Sequence, residues 1–211
     1  MEEKVQSIIE ILKQKYPDSV CALHYEKDYE LMIAVRLSAQ CTDARVNLVT
    51  PALFAAYPTL QAMSEAPVEH VEELVHSCGF YKHKARDIVL ACQMLLQKHG
   101  GKVPGTMEEL LALPGVGRKT ANLLLGDLYG VPGSVVCDTH CIRICGRLGL
   151  SQGKDPEKVE QQLRRILPPE ESNDFCHRIV LFGREVCTAR NPQCEHCPLA
   201  IHCNEINKGE N

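Results

Sequence analysis

Apolar residues in this chain recur at helical spacing almost from end to end, and nowhere do they alternate in twos. Val5, Ile8, Ile9 and Leu12 lie at i, i+3, i+4 and i+7, an amphipathic stripe that Tyr16-Pro17-Asp18 ends. Leu31 to Ala39 is apolar nearly all round apart from Arg36, which predicts a buried helix. Thr42 or Asp43 can cap the next helix, and Pro51 starts or kinks a further turn. A helix from Pro67 stops at Gly79, and one through Ile88, Val89, Cys92, Leu95 and Leu96 ends at Gly100-Gly101. Thr106 with Glu109 is a capping-box pattern, opening a short helix to about Leu113. Further helices are predicted from Arg118 to Tyr129, from Asp138 or Thr139 to Gly149, from the Asp155-Pro156 cap to Leu167, and from Asn173 to about Val186. Ser134 to Val136 is at most a short extended piece. The fold class is all-α.

At 211 residues the chain suffices for one large domain or two small lobes, with a core that needs no disulfides. No run approaches ~18 apolar residues. Met1-Glu2-Glu3-Lys4 opens an amphipathic helix and not an export signal, so a membrane span is excluded and a cytosolic protein expected. The 12 cysteines therefore read as reduced thiols plus a metal site, not as a secreted disulfide framework. A formal net charge of -4 argues mildly against nucleic acid as a partner, but a local basic patch decides such binding. Bases do cluster: Lys82, Lys84 and Arg86; Arg118 and Lys119; Arg143 and Arg147; Arg184 and Arg190.

Cys187, Cys194, Cys197 and Cys203 follow C-x6-C-x2-C-x5-C in one short segment bent by Pro192 and Pro198. Four thiolates converging from one segment suit a [4Fe-4S] cluster. A zinc ribbon uses two tight pairs held apart, and only Cys194 and Cys197 make such a pair here. Zinc and plain thiols remain the alternatives. The loop from Thr188 to Gln193 carries Arg190, and a loop tied at both ends to a rigid cluster presents its side chains steadily; electron transfer is the other use of such a centre. Cys137, Cys141 and Cys145 recur at helical spacing and read as small core residues, with a second metal site as the alternative.

Leu110 to Gly117 reads as a helix and a tight hairpin, followed by a new helix. Gly115 and Gly117 permit the positive φ of a turn and a close approach by another backbone. The N–H groups at the start of the next helix then offer a seat for a phosphate, a contact that positions DNA without reading bases. An ordinary helix–helix turn is the alternative. Lys119 falls in the first turn of that helix, where the dipole disfavours a cation. It is either one more phosphate contact or a nucleophilic amine. Bringing a lysine from its ordinary pKa of ~10.4 near neutrality takes about 4–5 kcal/mol, at roughly 1.36 kcal/mol per unit. The dipole supplies only ~0.3–1 kcal/mol, so desolvation in a cleft or a proton-accepting base must supply the rest. Asp138 is an N-cap by position. A carboxylate in the same cleft as Lys119 would also accept its proton or stabilise a developing sugar cation, and the two roles are compatible.

Together, the string L-P-G-V-G-R-K-T-A-N, Asp138-Thr139-His140 and the cysteine spacing resemble the endonuclease III family, bifunctional DNA glycosylase/AP lyases of the helix-hairpin-helix superfamily, over essentially the whole length. The resemblance implies two helical lobes with a cleft between them. One is a six-helix barrel over residues 20–133 ending in the hairpin; the other joins residues 1–19 to 134–211 and carries the [4Fe-4S] cluster on Cys187, Cys194, Cys197 and Cys203. It implies Lys119 as nucleophile and Asp138 as catalytic carboxylate, acting on double-stranded DNA that holds an oxidised pyrimidine such as thymine glycol, or an abasic site. Ser38 to Asp43 matches the segment whose glutamine fills the gap left by the flipped base, which names Gln40. Gly79-Phe80-Tyr81 matches the loop that wedges the opposite strand, with Phe80 where the family commonly has Leu. Gly115, Gly117, Arg118, His140 and Arg190 complete the expected DNA contacts. The resemblance also implies a monomer, which the composition places in the cytoplasm.

Adenine and thymine-mismatch glycosylases of the same superfamily are the near rivals. They lack the hairpin lysine, and the adenine enzymes carry a further C-terminal domain where this chain runs only eight residues past Cys203. A non-catalytic iron-sulfur DNA-binding module would not need Lys119 with Asp138, and an electron carrier would not need the hairpin. The acidic net charge departs from the basic character expected of the family and predicts weaker non-specific DNA binding.

Overall fold

A computed structural model describes residues 1–18 and 20–207. Its α-helices are α1 (Glu2–Lys15), α2 (Asp28–Ser38), α3 (Asp43–Ala56), α4 (Leu60–Ser64), α5 (Val68–Val75), α6 (Tyr81–Lys98), α7 (Met107–Leu111), α8 (Arg118–Tyr129), α9 (Thr139–Arg147), α10 (Pro156–Arg164), α11 (Ser172–Glu185) and α12 (Asn204–Asn207). Short 3-10 turns at His76–Cys78, Pro169–Glu171, Cys194–His196 and Ala200–His202 join them. No strand occurs among the described residues, so the extended piece at 134–136 joins no sheet and the all-α class stands. No described helix is long and apolar enough to cross a membrane.

The helix starts follow from local chemistry. Thr42 caps α3 by accepting the Arg45 N–H at 3.2 Å, and Asp155 caps α10 by accepting the Lys158 N–H at 2.9 Å. Thr106 accepts the Glu109 N–H at 3.3 Å, but the return bond of a capping box is replaced. The Thr106 hydroxyl itself donates to the Glu109 carboxylate at 2.6 Å. Helix α6 stops where Gly100 and Gly101 take positive φ and the Gly101 N–H closes onto the Leu95 carbonyl at 2.9 Å. Pro51 sits inside α3.

The chain forms two compact units, Cys21–Tyr129 and Met1–Val20 with Gly130–Asn211. In the first, α2 is the hub, packed against α3, α6 and α8, while α6 also covers α4 and α5. Burial of Leu31, Met32, Ile33, Ala34, Val35 and Leu37 makes α2 the all-round apolar helix that its sequence predicts. In the other unit α11 packs against α1 and α9. Cys137, Cys141 and Cys145 are buried there, and Cys176 of α11 joins them; its sulfur accepts the Val136 N–H at 3.2 Å. Hydrogen bonding with Cys137, Cys145 and Cys176, together with burial, pushes the Cys141 thiol well up, as suits a protonated core residue. Burial of Cys137, Cys141 and Cys145 is what a core role requires.

Candidate functional site

The hairpin is built from α7, the turn at 112–117 and α8. Leu110, Leu113 and Val116 are buried and anchor it, and the Val116 N–H closes the turn on the Leu113 carbonyl at 3.2 Å. Gly115 has φ +75, and a Cβ there would lie 2.5 Å from Arg36 Nε and 2.8 Å from Asp87 Oδ2. Those atoms belong to an ion pair: Arg36 donates from Nε and Nη2 to Asp87 Oδ2 at 2.8 and 2.7 Å. Arg36, the charge that interrupts the apolar run of α2, thus meets a partner on α6 beneath the hairpin. Gly115→Ala must therefore both strain the backbone and displace that pair. A loss of about 2–4 kcal/mol in unfolding free energy is expected, read from the denaturation midpoint. Gly117 differs, because its φ is not positive and a Cβ there meets nothing within 4 Å. Its carbonyl accepts the Ala121 N–H at 2.9 Å, so α8 begins behind a residue with no capping side chain. Gly117→Ala should cost less than about 1 kcal/mol in the same measurement. Arg118 is half-buried, and Lys119, the second residue of α8, is exposed.

Gln40 and Phe80 stand out by backbone. Among the described residues they are the two non-glycines with positive φ, 55 and 48, and both are exposed. Neither residue type favours that region, and such strain collects at functional sites. Phe80, 64% exposed, forms the N-cap of α6. Lys84 does not belong to the basic surface expected with Lys82 and Arg86. It is 1% exposed, and its Nζ donates to the carbonyls of Leu37 and Cys78, each at 2.8 Å.

In the other unit Asp138 is the N-cap of α9, its Oδ1 accepting the Cys141 N–H at 2.7 Å. Half-buried His140 follows in the first turn. Arg143 Nη2 lies 3.1 Å from His140 Nδ1. A guanidinium only donates, so Nδ1 accepts and the ring's proton sits on Nε2. Gly183 of α11 makes this possible, since a Cβ there would lie 2.5 Å from His140 Nδ1 and 3.0 Å from Arg143 Nη2. Arg143 also donates to the Gly183 and Cys187 carbonyls, at 3.2 and 2.9 Å.

Cys187, Cys194, Cys197 and Cys203 line one cavity of about 220 Å³, together with Arg147 and Val186. All four cysteines of the C-x6-C-x2-C-x5-C segment thus face one space. Four thiolates around one space fit a multi-iron cluster. Arg147 Nη1 donates to Cys187 Sγ and to the Thr188 carbonyl, both at 3.1 Å. Arg143 and Arg147 read in the sequence as part of a basic patch; their guanidinium groups instead hold the start of the cysteine loop. The Gln193 N–H closes the loop on the Val186 carbonyl at 2.9 Å, and Arg190 at its tip is exposed.

Two family models match the chain. The HhH-GPD superfamily base excision DNA repair protein matches residues 33–169. The iron-sulfur binding domain of endonuclease III matches residues 187–203, a span that begins and ends on the outer cysteines. Endonuclease III of Synechocystis sp. (strain ATCC 27184 / PCC 6803 / Kazusa) is 44% identical over 201 residues, covering 95% of this chain and 92% of its own. Among solved structures, a non-covalent endonuclease III–DNA complex matches with a TM-score of 0.93 at 41% identity, covering 100% of this chain and 98% of that one. A trapped endonuclease III–DNA covalent intermediate matches with a TM-score of 0.92 at 41% identity, covering 100% and 99%.

Proposed function

The chain belongs to the endonuclease III family of the HhH-GPD superfamily, and on that premise we propose that it is a bifunctional DNA N-glycosylase/AP lyase of base excision repair. Its substrate is double-stranded DNA with an oxidised pyrimidine of the thymine glycol type, or an abasic site. The observation that carries the reading is Lys119, an exposed amine in the first turn of α8 directly behind the glycine hairpin.

The hairpin backbone at Gly115 and Gly117 and the Arg118 side chain seat a phosphate, which holds the strand without reading it. The damaged nucleotide is flipped out of the stack. Gln40 fills the gap, and Phe80 wedges the opposite strand. The Lys119 amine, once a base has taken its proton, attacks C1′ of the sugar, and the C1′–N bond to the base breaks with its electron pair leaving on the base. Asp138 accepts the lysine's proton and stabilises the positive charge that develops on the sugar. The resulting Schiff base permits β-elimination, which cuts the strand 3′ to the lesion. His140 Nε2–H and Arg190 add phosphate contacts. In this reading the barrel lobe is residues 20–133 and the cluster lobe is residues 1–19 with 134–211. The enzyme acts in the cytoplasm as a monomer.

The protein carries a [4Fe-4S] cluster, and Cys187, Cys194, Cys197 and Cys203 are its ligands in this reading. The cluster is a rigid cross-link for the loop that presents Arg190, with redox chemistry as its other capacity. Arg147, already donating to Cys187 Sγ, would compensate thiolate charge there. Protein as purified should be brown and contain about four irons per chain; stoichiometric zinc in their place would overturn the assignment.

Borohydride reduction tests the central step. Wild-type protein should form a covalent adduct with duplex DNA carrying thymine glycol or an abasic site. No adduct on either would overturn the lyase reading. Release of adenine or mismatched thymine without any adduct would favour the monofunctional rivals.

A further inference from the structure

An ammonium taken out of water needs acceptors close by. Lys84 finds them at two helix ends: Leu37 lies in the last turn of α2, and Cys78 closes the 3-10 turn His76–Cys78. Helix C-termini gather partial negative charge, so both carbonyls suit a cation. Burial lowers the pKa of Lys84, while the neighbouring Cys41 and Cys78 thiols oppose the shift. An amine donates N–H bonds in either protonation state.

Each of the two anchors stands just ahead of a strained residue. Three residues after Leu37 comes Gln40, and two residues after Cys78 comes Phe80, the pair of non-glycine residues with positive φ. The backbone N–H of Lys84 also donates to the Phe80 carbonyl at 3.1 Å. One residue therefore ties the roots of both loops, from its side chain and its main chain together. Strained residues keep their conformation only where the surroundings over-determine it.

We propose that Lys84 is a positioning residue that couples the Gln40 and Phe80 loops, fixing their separation so that gap-filling and wedging occur as one event. The proposal rests on the reading of Gln40 and Phe80 as DNA-probing side chains. It assigns Lys84 no contact with DNA and no chemical step.

Lys84→Met keeps the length and packing of the stem and removes the donors. Base release from thymine glycol duplex is measured under single turnover at saturating enzyme, so that weaker binding does not enter the rate. A fall of about 10–100-fold is expected, the scale on which a small misplacement of a substrate-positioning group acts. The deciding measurement is a mutant cycle with the Gln40→Ala/Phe80→Ala double variant. If Lys84 acts through the loops, adding Lys84→Met to that double variant should lower the rate by less than about threefold further. A core lysine with a general structural role would instead lower it by the same factor in both backgrounds, and that result overturns the proposal. So does a Lys84→Met rate within about threefold of wild type while the double variant is impaired. A double variant as active as wild type sinks the DNA-probing reading itself. If Lys84→Met does not fold, Lys84→Gln, whose shorter side chain cannot reproduce the Nζ link to both carbonyls, goes through the same cycle with the same criteria.

Discussion

Lys119→Gln is expected to abolish the borohydride-trapped adduct and to lower strand cleavage by roughly 10⁴-fold or more, the scale of removing a covalent nucleophile. The position makes the test clean. Lys119 is exposed on the first turn of α8, so substitution should change stability by no more than about 0.5 kcal/mol. Removing a cation from a helix N-terminus is, if anything, stabilising. DNA affinity should fall only by the loss of one charge, with the salt slope reduced by about 1. A variant that binds duplex DNA and unfolds like wild type, yet traps nothing, assigns the amine to chemistry. If Lys119→Gln traps as well as wild type, the amine is a phosphate contact and the nucleophile lies elsewhere.

The second large effect falls on Asp138, where a structural and a chemical role share one carboxylate. Its Oδ1 accepts the Cys141 N–H at 2.7 Å as the cap of α9. Asparagine ranks with aspartate as an N-cap. Asp138→Asn should therefore keep the helix start and leave the unfolding midpoint nearly unmoved. What it loses is a group able to take a proton and face a sugar cation, and base release should fall by about 10²–10⁴-fold. Asp138→Ala loses both, adding about 1 kcal/mol of destabilisation. Measuring rate and midpoint on both variants separates the roles. An Asp138→Asn enzyme at wild-type rate would reduce Asp138 to a cap.

The sequence made legible what local chemistry governs. Thr42, Thr106, Asp138 and Asp155 announced their helices because a short polar side chain before a helical stripe has one favourable use. Gly115 announced the hairpin because a tight turn needs its φ. The cysteine segment was readable because its four cysteines lie within 17 residues, 187–203, the span that the iron-sulfur family model matches. What could not be read depends on partners distant in sequence. Arg36 looked like an interruption of an apolar helix until Asp87, 51 residues on, accounted for it. Lys84 looked like one more surface base, since nothing local tells a lysine that it faces two carbonyls. Arg143 and Arg147 likewise looked like one more cluster of bases, because the carbonyls and the sulfur that take them lie about 40 residues further along. The positive φ of Gln40 and Phe80 went unseen for another reason. Neither residue type prefers it, so the conformation is imposed by surroundings.

The seam between α2 and α6 carries its two polar links on neighbouring residues, Arg36 with Leu37 on one helix and Asp87 with Lys84 one turn away on the other. The hairpin rests on the first link and both loop roots on the second. Neutral drift along this seam must therefore proceed in pairs. Asp87→Asn alone would leave the Arg36 charge uncompensated against Gly115, and a change at Lys84 alone would strand two buried carbonyls. The outward faces of the same helices can vary one residue at a time, so a lineage could remake the acidic surface of this chain while the seam stayed fixed.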